Sequence, residues 1–260
     1  MKIADRIHLV GSGISSGMGF DPTDMGFDLT DAYDCHVFLL DGGDELAIID
    51  TGAGRGAQRI LENVKAAGFD PASVRQIVLT HAHVDHAGGA AKMRGLLGSP
   101  AVLASAVCAD WIRTGDEQKV SLEAAKKAEF YPAEYVLEPC PVDAELADGD
   151  TIRVGDLALT VLDTPGHSDG HISLLLERDG KQTLFSADAV FYGGHILLQN
   201  IWDCRLDAVI RTLRRLRELE VTALIPSHLG YSVSNGQRHI ERANEALDRL
   251  LVPNQLISAW

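Results

Sequence analysis

Four residues that can bind a metal ion lie within six positions of one another: His81, His83, Asp85 and His86. They follow the apolar run at residues 76–79, which is typical of a buried strand. Because side chains alternate between the two faces of a strand, His81 and His83 can point the same way and share a metal. Asp85 and His86, beyond a bend, can turn toward a second metal. Imidazole and carboxylate ligands suit zinc, iron or manganese at catalytic sites.

Three more residues of the same chemistry occur later in the chain, each just after a short apolar run. They are His167, Asp188 and His228. Catalytic groups are often carried by the loops that follow the strands of a rigid scaffold. A single histidine after a strand is most often an ordinary loop residue, but three such positions together with the first cluster indicate one site.

The elements around these residues predict an α/β fold. Short β-branched runs and hairpin signals alternate with amphipathic helical segments in both halves of the chain. The strands are predicted at residues 6–10, 36–40, 46–49, 76–79, 101–103, 151–154, 158–162, 172–176, 183–186 and 223–225. The main helices are predicted at residues 56–67, 88–97, 207–219 and 237–251. Two strand-rich halves, each followed by helices, indicate sheets packed face to face and covered by helices.

Two further segments stand outside this pattern. Residues 11–30 are rich in Gly, Ser and Asp and predict a long loop, which in compact domains is usually functional. Residues 105–130 are helical and charged, and they form either a lid or an ordinary pair of surface helices.

The composition excludes several classes of function. With 23 basic and 37 acidic residues the formal charge is −14, which disfavours binding to nucleic acid. The four cysteines, Cys35, Cys108, Cys140 and Cys204, are far apart and form neither a disulfide framework nor a zinc ribbon. The first residues lack the apolar run of a signal peptide, and no window has the length of a membrane span. We therefore expect a cytoplasmic protein that does not bind membranes.

The sequence resembles the metallo-β-lactamase superfamily, whose signature H-x-H-x-D-H is complete at residues 81–86. The resemblance spans nearly the whole chain and includes Asp50-Thr51-Gly52 and Gly166-His167. It implies a four-layer αβ/βα sandwich that forms a single domain over residues 1–260, with a helical insertion at about 105–133.

The resemblance also implies a complete set of ligands for two metals. The first metal would be held by His81, His83 and His167, the second by Asp85, His86 and His228, and Asp188 would bridge the two. We expect two divalent ions, zinc first, with iron or manganese as alternatives. A water shared by such a pair becomes a bridging hydroxide nucleophile. Asp85 and Asp188 are therefore expected to be catalytic.

Several nearby residues have two interpretations each. Asp50 either orients a ligand histidine or bonds its own turn. Tyr192 and His195 either contact the substrate, with Tyr192 donating to a developing oxyanion, or simply pack. His171 is expected to support the site without binding metal. Trp202 lines either a pocket or an interface.

The predicted function is hydrolysis of an ester-type bond in a small molecule, with lactones ahead of thioesters. Length, ligand set and the helical insertion resemble the single-domain lactonase-like members. One departure is Phe191, which stands three residues after Asp188, where these members have a tyrosine. The alternatives are a glyoxalase II-like thioesterase and a persulfide dioxygenase-like oxidoreductase with one iron. The predicted partner is the small-molecule substrate, and a homodimer is left open.

Overall fold

The computed structural model describes residues 1–13 and 27–256. The greater part of the loop predicted at residues 11–30 therefore lies outside the described residues. The chain divides into two compact units, unit 1 with residues 1–146 and 153–157, and unit 2 with residues 147–152 and 158–260. No helix of the described ranges has both the length and the apolar character needed to cross a membrane.

Twelve strands are assigned in the described residues, and they form two mixed sheets. They are β1 (Lys2–Ala4), β2 (Ile7–Gly11), β3 (Val37–Asp41), β4 (Leu46–Ile49), β5 (Val74–Val78), β6 (Ala101–Ser105), β7 (Ala144–Leu146), β8 (Thr151–Val154), β9 (Leu157–Asp163), β10 (Ile172–Arg178), β11 (Lys181–Ala187) and β12 (Val221–Pro226). One sheet has seven strands in the order β1-β2-β3-β4-β5-β6-β7, and the other has five in the order β12-β11-β10-β9-β8.

The α-helices follow the strands in both halves of the chain. Those in the described residues are α1 (Ala57–Ala66), α2 (Val84–Ala87), α3 (Ala90–Leu96), α4 (Ala106–Thr114), α5 (Leu122–Lys127), α6 (Leu206–Arg217) and α7 (Gln237–Asp248). Mixed sheets with these helices confirm the α/β class that the sequence predicts.

The core of unit 1 forms where apolar strands meet one face of α1. All residues of β2 and β4 are buried, which is expected of strands covered on both faces. Helix α1 buries Ile60, Leu61 and Val64, a spacing that places them on a single stripe.

The core of unit 2 forms on β9 to β12. Helices α6 and α7 pack against each other and contribute Leu213, Leu216, Ile240 and Ala243 to one cluster. Strands β11 and β12 run parallel, so their carboxyl ends meet at one edge of the sheet. Polar residues that follow both strands are thereby brought together.

The predicted helical insertion contains α4 and α5. Trp111, Val120 and Leu122 of this segment are buried in the core of unit 1. Opening such a segment would expose this apolar surface, which favours the packed pair of helices over the lid.

The predicted helix at residues 237–251 is three residues too long, since α7 ends at Asp248. Leu250 has a left-handed backbone with φ of +59°, and its side chain is 94% exposed. A helix that continued there would have no buried face to pack, and Pro253 beyond it cannot donate a helical hydrogen bond. The predicted helix is too long because apolar residues at its end continue the helical periodicity.

Candidate metal centre

The first set of candidate ligands lies at the carboxyl edge of the parallel strands in unit 1. Strand β5 ends at Val78, and His83 precedes α2 directly. The rings of His81 and His83 have centroids 4.7 Å apart, and those of His81 and His86 are 4.0 Å apart. All three histidines are buried. The expected closeness of these imidazoles is confirmed, although they lie just beyond the strand and not on it.

The Asp50 carboxylate orients the imidazole ring of His86. The two strands β4 and β5 are parallel and pair Ile49 with Val78, so Asp50 emerges beside the histidine segment. The Asp50 carboxylate lies 2.9 Å from His86 Nδ1 and accepts 2.8 Å hydrogen bonds from the Thr80 backbone N–H and hydroxyl. With its proton on Nδ1, His86 presents the Nε2 lone pair to a metal. Of the two interpretations of Asp50, this geometry supports the one in which it orients His86.

Cys35 lies close to this pair but is a poor ligand. Its Sγ, the Asp50 carboxylate and a ring nitrogen of His86 lie within 4.8 Å of one another. Burial raises the pKa of the Cys35 thiol, so the neutral thiol persists, whereas metals bind the thiolate. Asp50 already accepts three hydrogen bonds. We therefore do not count this trio as a metal site.

The second set of candidate ligands lies in unit 2. His167 follows β9, Asp188 follows β11 and His228 follows β12, and all three are buried. The Asp188 Oδ2 atom lies 3.4 Å from His167 Nε2 and 3.5 Å from His228 Nε2. His167 Nδ1 lies 3.2 Å from the Leu197 carbonyl oxygen, which fixes the proton on that nitrogen and leaves Nε2 available.

His171 supports Asp188, as the sequence analysis expected. Its Nε2 accepts a 3.1 Å hydrogen bond from the Asp188 backbone N–H. Its Nδ1, 2.9 Å from the Thr164 hydroxyl, must then carry the ring proton. Both ring nitrogens are therefore occupied by protein groups, and the ring serves to place the aspartate.

Glycine is required beside His167. Gly166 has φ of +139°, a conformation that residues with a side chain rarely adopt. A Cβ atom added there would lie 2.5 Å from the Val209 backbone nitrogen. The Gly-His pair thus allows the turn to lie directly against α6.

The spacing of the donor atoms fits divalent metals. Nitrogen and oxygen ligands at about 2.0–2.1 Å from a tetrahedral ion are roughly 3.3–3.4 Å from each other. The distance between His86 Nε2 and Asp85 Oδ2 is 3.5 Å, and the two distances to Asp188 are equally close to this value. These separations are longer than a normal hydrogen bond, as expected of atoms that converge on a common point. These residues therefore suit the divalent metal ions that the sequence implies.

Tyr192 and His195 lie on a short segment after Asp188. The Tyr192 side chain is 41% exposed, its ring packs on His239 with centroids 4.3 Å apart, and its hydroxyl lies 3.4 Å from an Arg238 nitrogen. His195 Nδ1 lies 2.8 Å from the Tyr192 carbonyl oxygen. These contacts show how the segment is held, and a role in binding substrate stays a prediction.

His239, on helix α7, anchors this segment. Its Nδ1 accepts a 2.9 Å hydrogen bond from the Gly193 backbone N–H. Burial, together with the positive charges of Arg238 and Arg242, lowers the pKa of His239 to about 4. A lone histidine on an amphipathic helix gives no signal of such a role, because the partner is distant in sequence.

Comparison with known proteins agrees with the fold. The model of the metallo-β-lactamase superfamily matches residues 30–228. A hydroxyacylglutathione hydrolase from Chelativorans sp. is 26% identical over 73% of this chain and 61% of its own length. An acyl-coenzyme A thioesterase from Bos taurus is 28% identical over 74% of this chain and 72% of its own length. Among solved structures, a metallo-β-lactamase from Cronobacter sakazakii aligns with a TM-score of 0.70 at 21% identity, covering 96% of each chain.

The fold and the family match define the class of protein. It is a class of hydrolases, and this chain has clusters of His and Asp side chains that could bind metal. The chain belongs to the metallo-β-lactamase superfamily. The expected family and fold are thus confirmed. The likeness to solved β-lactamases is below 25% identity and shows the fold alone. Because the chain covers 61% of the hydroxyacylglutathione hydrolase, that protein's substrate does not transfer directly.

Proposed function

We propose that this protein is a binuclear metal-dependent hydrolase that cleaves an ester-type bond in a small molecule. The observation that carries the proposal is the donor spacing of 3.4–3.5 Å in both sets of residues, all of which are buried except the partly exposed Asp85. Structural ion pairs between side chains usually approach to hydrogen-bonding distance, whereas these atoms stand apart at the separation of ligands on one ion.

We assign seven residues to the metals. The first ion would be bound by His81, His83 and His167, the second by Asp85, His86 and His228, and Asp188 would bridge them. Two divalent ions held in this way would lower the pKa of a bound water toward about 7 and so provide a nucleophile at neutral pH. Zinc is the first candidate, and iron or manganese would accept the same ligands.

The protein residues prepare this centre in two ways. Asp50 and the Leu197 carbonyl keep the protons of His86 and His167 on Nδ1, so that both Nε2 atoms are ready to bind a metal. His171 fixes the backbone of Asp188. Because these partners are buried, the ligand geometry is set before a metal binds, and binding costs little reorganisation.

Acyl thioesters are the first candidate substrates, with lactones second. The printed names of the curated relatives include an acyl-coenzyme A thioesterase and a hydroxyacylglutathione hydrolase, which support the thioester. The lactone was favoured from the sequence, but the tyrosine expected with it is replaced by Phe191. This side chain is fully buried and offers no hydroxyl, its ring centroid being 6.1 Å from that of His228.

A substrate screen on metal-analysed protein tests the proposal. Acyl thioesters, lactones, simple esters and phosphodiesters would be compared at equal concentration, with the Asp188→Asn variant as the inactive control. We expect hydrolysis of at least one carboxylic ester or thioester and its loss in the variant. Activity on phosphodiesters alone, or oxygen consumption with one iron per chain, would contradict the proposal.

A further inference from the structure

A cavity of about 280 Å³ in unit 1 is lined by residues of β1, β2 and the last turn of α1. We call it the β2 cavity. Its polar lining comes from three side chains, those of Lys2, His8 and Asn63. The other lining residues are apolar, among them Leu9, Leu29 and Ala66. None of the candidate metal ligands is among the lining residues, so the β2 cavity is not part of the candidate metal centre.

His8 is buried in the wall of the β2 cavity without a protein partner for its ring nitrogens. The side chain is only 9% exposed, and its ring packs edge-to-face on Phe69 with centroids 4.8 Å apart. Within residues 1–13 and 27–256, neither ring nitrogen forms a hydrogen bond to a protein group. Buried polar groups are nearly always hydrogen-bonded. An imidazole that lines a cavity in this way therefore indicates a partner that enters the cavity.

Hydrogen bonds fix the walls around His8. The Asn63 side-chain amide donates a 2.8 Å hydrogen bond to the Val10 carbonyl, which ties α1 to β2. The Leu29 backbone N–H donates a 3.0 Å hydrogen bond to the Ser12 carbonyl, just beyond the end of β2. The lining is therefore formed before a ligand binds, and binding requires little ordering of the protein.

The charge of the lining favours an anion. No acidic side chain is among the lining residues, although the chain has 37 of them. The one charged side chain of the lining is that of Lys2. Its Nζ lies 3.5 Å from the Asp5 Oδ1 atom, and both side chains are more than half exposed. Such a surface pair is weak, so the ammonium can turn toward a ligand.

The surroundings of His8 keep its imidazole neutral near pH 7. Burial lowers the pKa of His8, the N-terminal amino group and Lys2 lower it further, and the carboxylate of Asp41 opposes them in part. A neutral imidazole has one N–H to donate. A carboxylate oxygen is an acceptor for this N–H, and its charge is the one that Lys2 attracts.

We propose that the β2 cavity binds a small carboxylate with a short apolar tail. The carboxylate accepts a hydrogen bond from the His8 imidazole and lies near the Lys2 ammonium. The tail lies against the apolar lining that includes Leu9 and Leu29. Burial of a hydrocarbon tail distinguishes such a ligand from a bare inorganic anion, which gains nothing from apolar walls. The inference does not depend on the proposed function, because it concerns binding and not turnover.

The test is an NMR titration of the metal-loaded wild-type protein with sodium acetate, butyrate and hexanoate, and with inorganic phosphate as an anion without a tail. The imidazole signals of His8 are assigned by their loss in His8→Phe. We expect hexanoate to shift them saturably with a Kd on the order of 1 mM, an affinity suited to a ligand of about eight non-hydrogen atoms. Affinity should rise by about two- to fourfold for each added methylene. Bound hexanoate should also raise the pKa of His8, because a nearby negative charge favours the imidazolium.

Two variants test the site from opposite walls. His8→Phe keeps a ring against Phe69 and removes both nitrogens. Hexanoate binding, followed by the backbone amide signals of Ala66 and Ala67, should weaken by at least about tenfold. Ala66→Leu fills the cavity from α1 and should abolish the shift of the His8 signals. Ala124→Leu is the matched control, since it makes the same change at an exposed alanine of α5 outside the lining and should bind hexanoate as the wild type does.

Several results would overturn the inference. If hexanoate leaves the His8 signals unmoved, water is the partner of this imidazole and the β2 cavity is not a carboxylate site. Equal affinity for phosphate, acetate and hexanoate would show attraction to a surface charge only. Wild-type binding by Ala66→Leu would place the ligand elsewhere, for example on the metal ions. Melting temperatures show whether each variant is folded, and if His8→Phe is not, the comparison of Ala66→Leu with Ala124→Leu decides.

Discussion

Replacing Asp50 by asparagine should weaken metal binding without unfolding the protein. The Asp50 carboxylate accepts the Thr80 N–H at Oδ1 and both the Thr80 hydroxyl and His86 Nδ1 at Oδ2. Asparagine has one oxygen and one NH2 group, so in either orientation it places a donor against a donor. With the NH2 group toward His86, the imidazole must move its proton to Nε2, which removes the lone pair that binds metal.

The size of this effect follows from the loss of an orienting partner. Such losses cost about 10- to 100-fold in metal affinity, or roughly 1.4–2.7 kcal/mol. A further roughly 1–3 kcal/mol of folding stability should be lost, because a buried donor is left without its acceptor. Because both partners are buried, water cannot replace the missing acceptor.

The assay is competition for metal against a chromophoric chelator, with thermal unfolding measured in parallel. Thr51→Val is the matched control, since the Thr51 hydroxyl donates a 2.8 Å hydrogen bond to the His86 carbonyl and not to its ring. This control should lose stability and keep its metals. If Asp50→Asn binds both metals as tightly as Thr51→Val, the argument from the His86 proton is wrong.

Three further predictions concern separate parts of the molecule. Gly166→Ala should destabilise the fold by roughly 2–4 kcal/mol, because backbone strain adds to the overlap of the new Cβ atom with Val209. Gly68→Ala is the control: at φ of +91° its Cβ atom would meet no atom within 4 Å, so it should cost only about 1–2 kcal/mol. Urea unfolding measures the free energy of unfolding of both variants. The pKa of His239 is lowered from 6.5 to about 4, so the neutral imidazole contributes stability that is complete above pH 6.5 and is lost as pH falls toward 4. In His239→Gln the free energy of unfolding should therefore depend less on pH over that range. An unchanged pH dependence would contradict this. Dialysis against a chelator should abolish turnover and lower the melting temperature, and added zinc or manganese should restore both; persistent turnover in metal-free protein would exclude the mechanism.

The sequence marks the candidate ligands because each set follows a strand with a strong local signal. His81, Asp188 and His228 all come just after β-branched or apolar runs, and parallel pairing then brings strand ends together. Two strands escape prediction, β1 and β7, because three residues are too few to show a period. The end of α7 is placed too late because apolar residues that continue its period are exposed.

The supporting contacts were less accessible from the sequence. The hydrogen bond between Gly193 and His239 and the stacked rings of Tyr33 and Tyr131 join residues that are far apart in the chain. No local pattern marks such contacts, since each depends on the tertiary packing that brings the segments together. Asp50 is marked in the sequence because Asp-Thr-Gly follows a predicted strand, whereas nothing in the sequence marks its partner Thr80.

The central claim is that this chain uses two metal ions for hydrolysis. The most direct measurement is a titration of metal-free protein with zinc, in which bound metal and turnover of the best ester-type substrate are recorded at each point. We predict that binding saturates at two ions per chain, that full turnover requires both, and that Asp188→Asn lowers the stoichiometry. Full activity with a single ion per chain, or activity unchanged by the loss of Asp188, would contradict it.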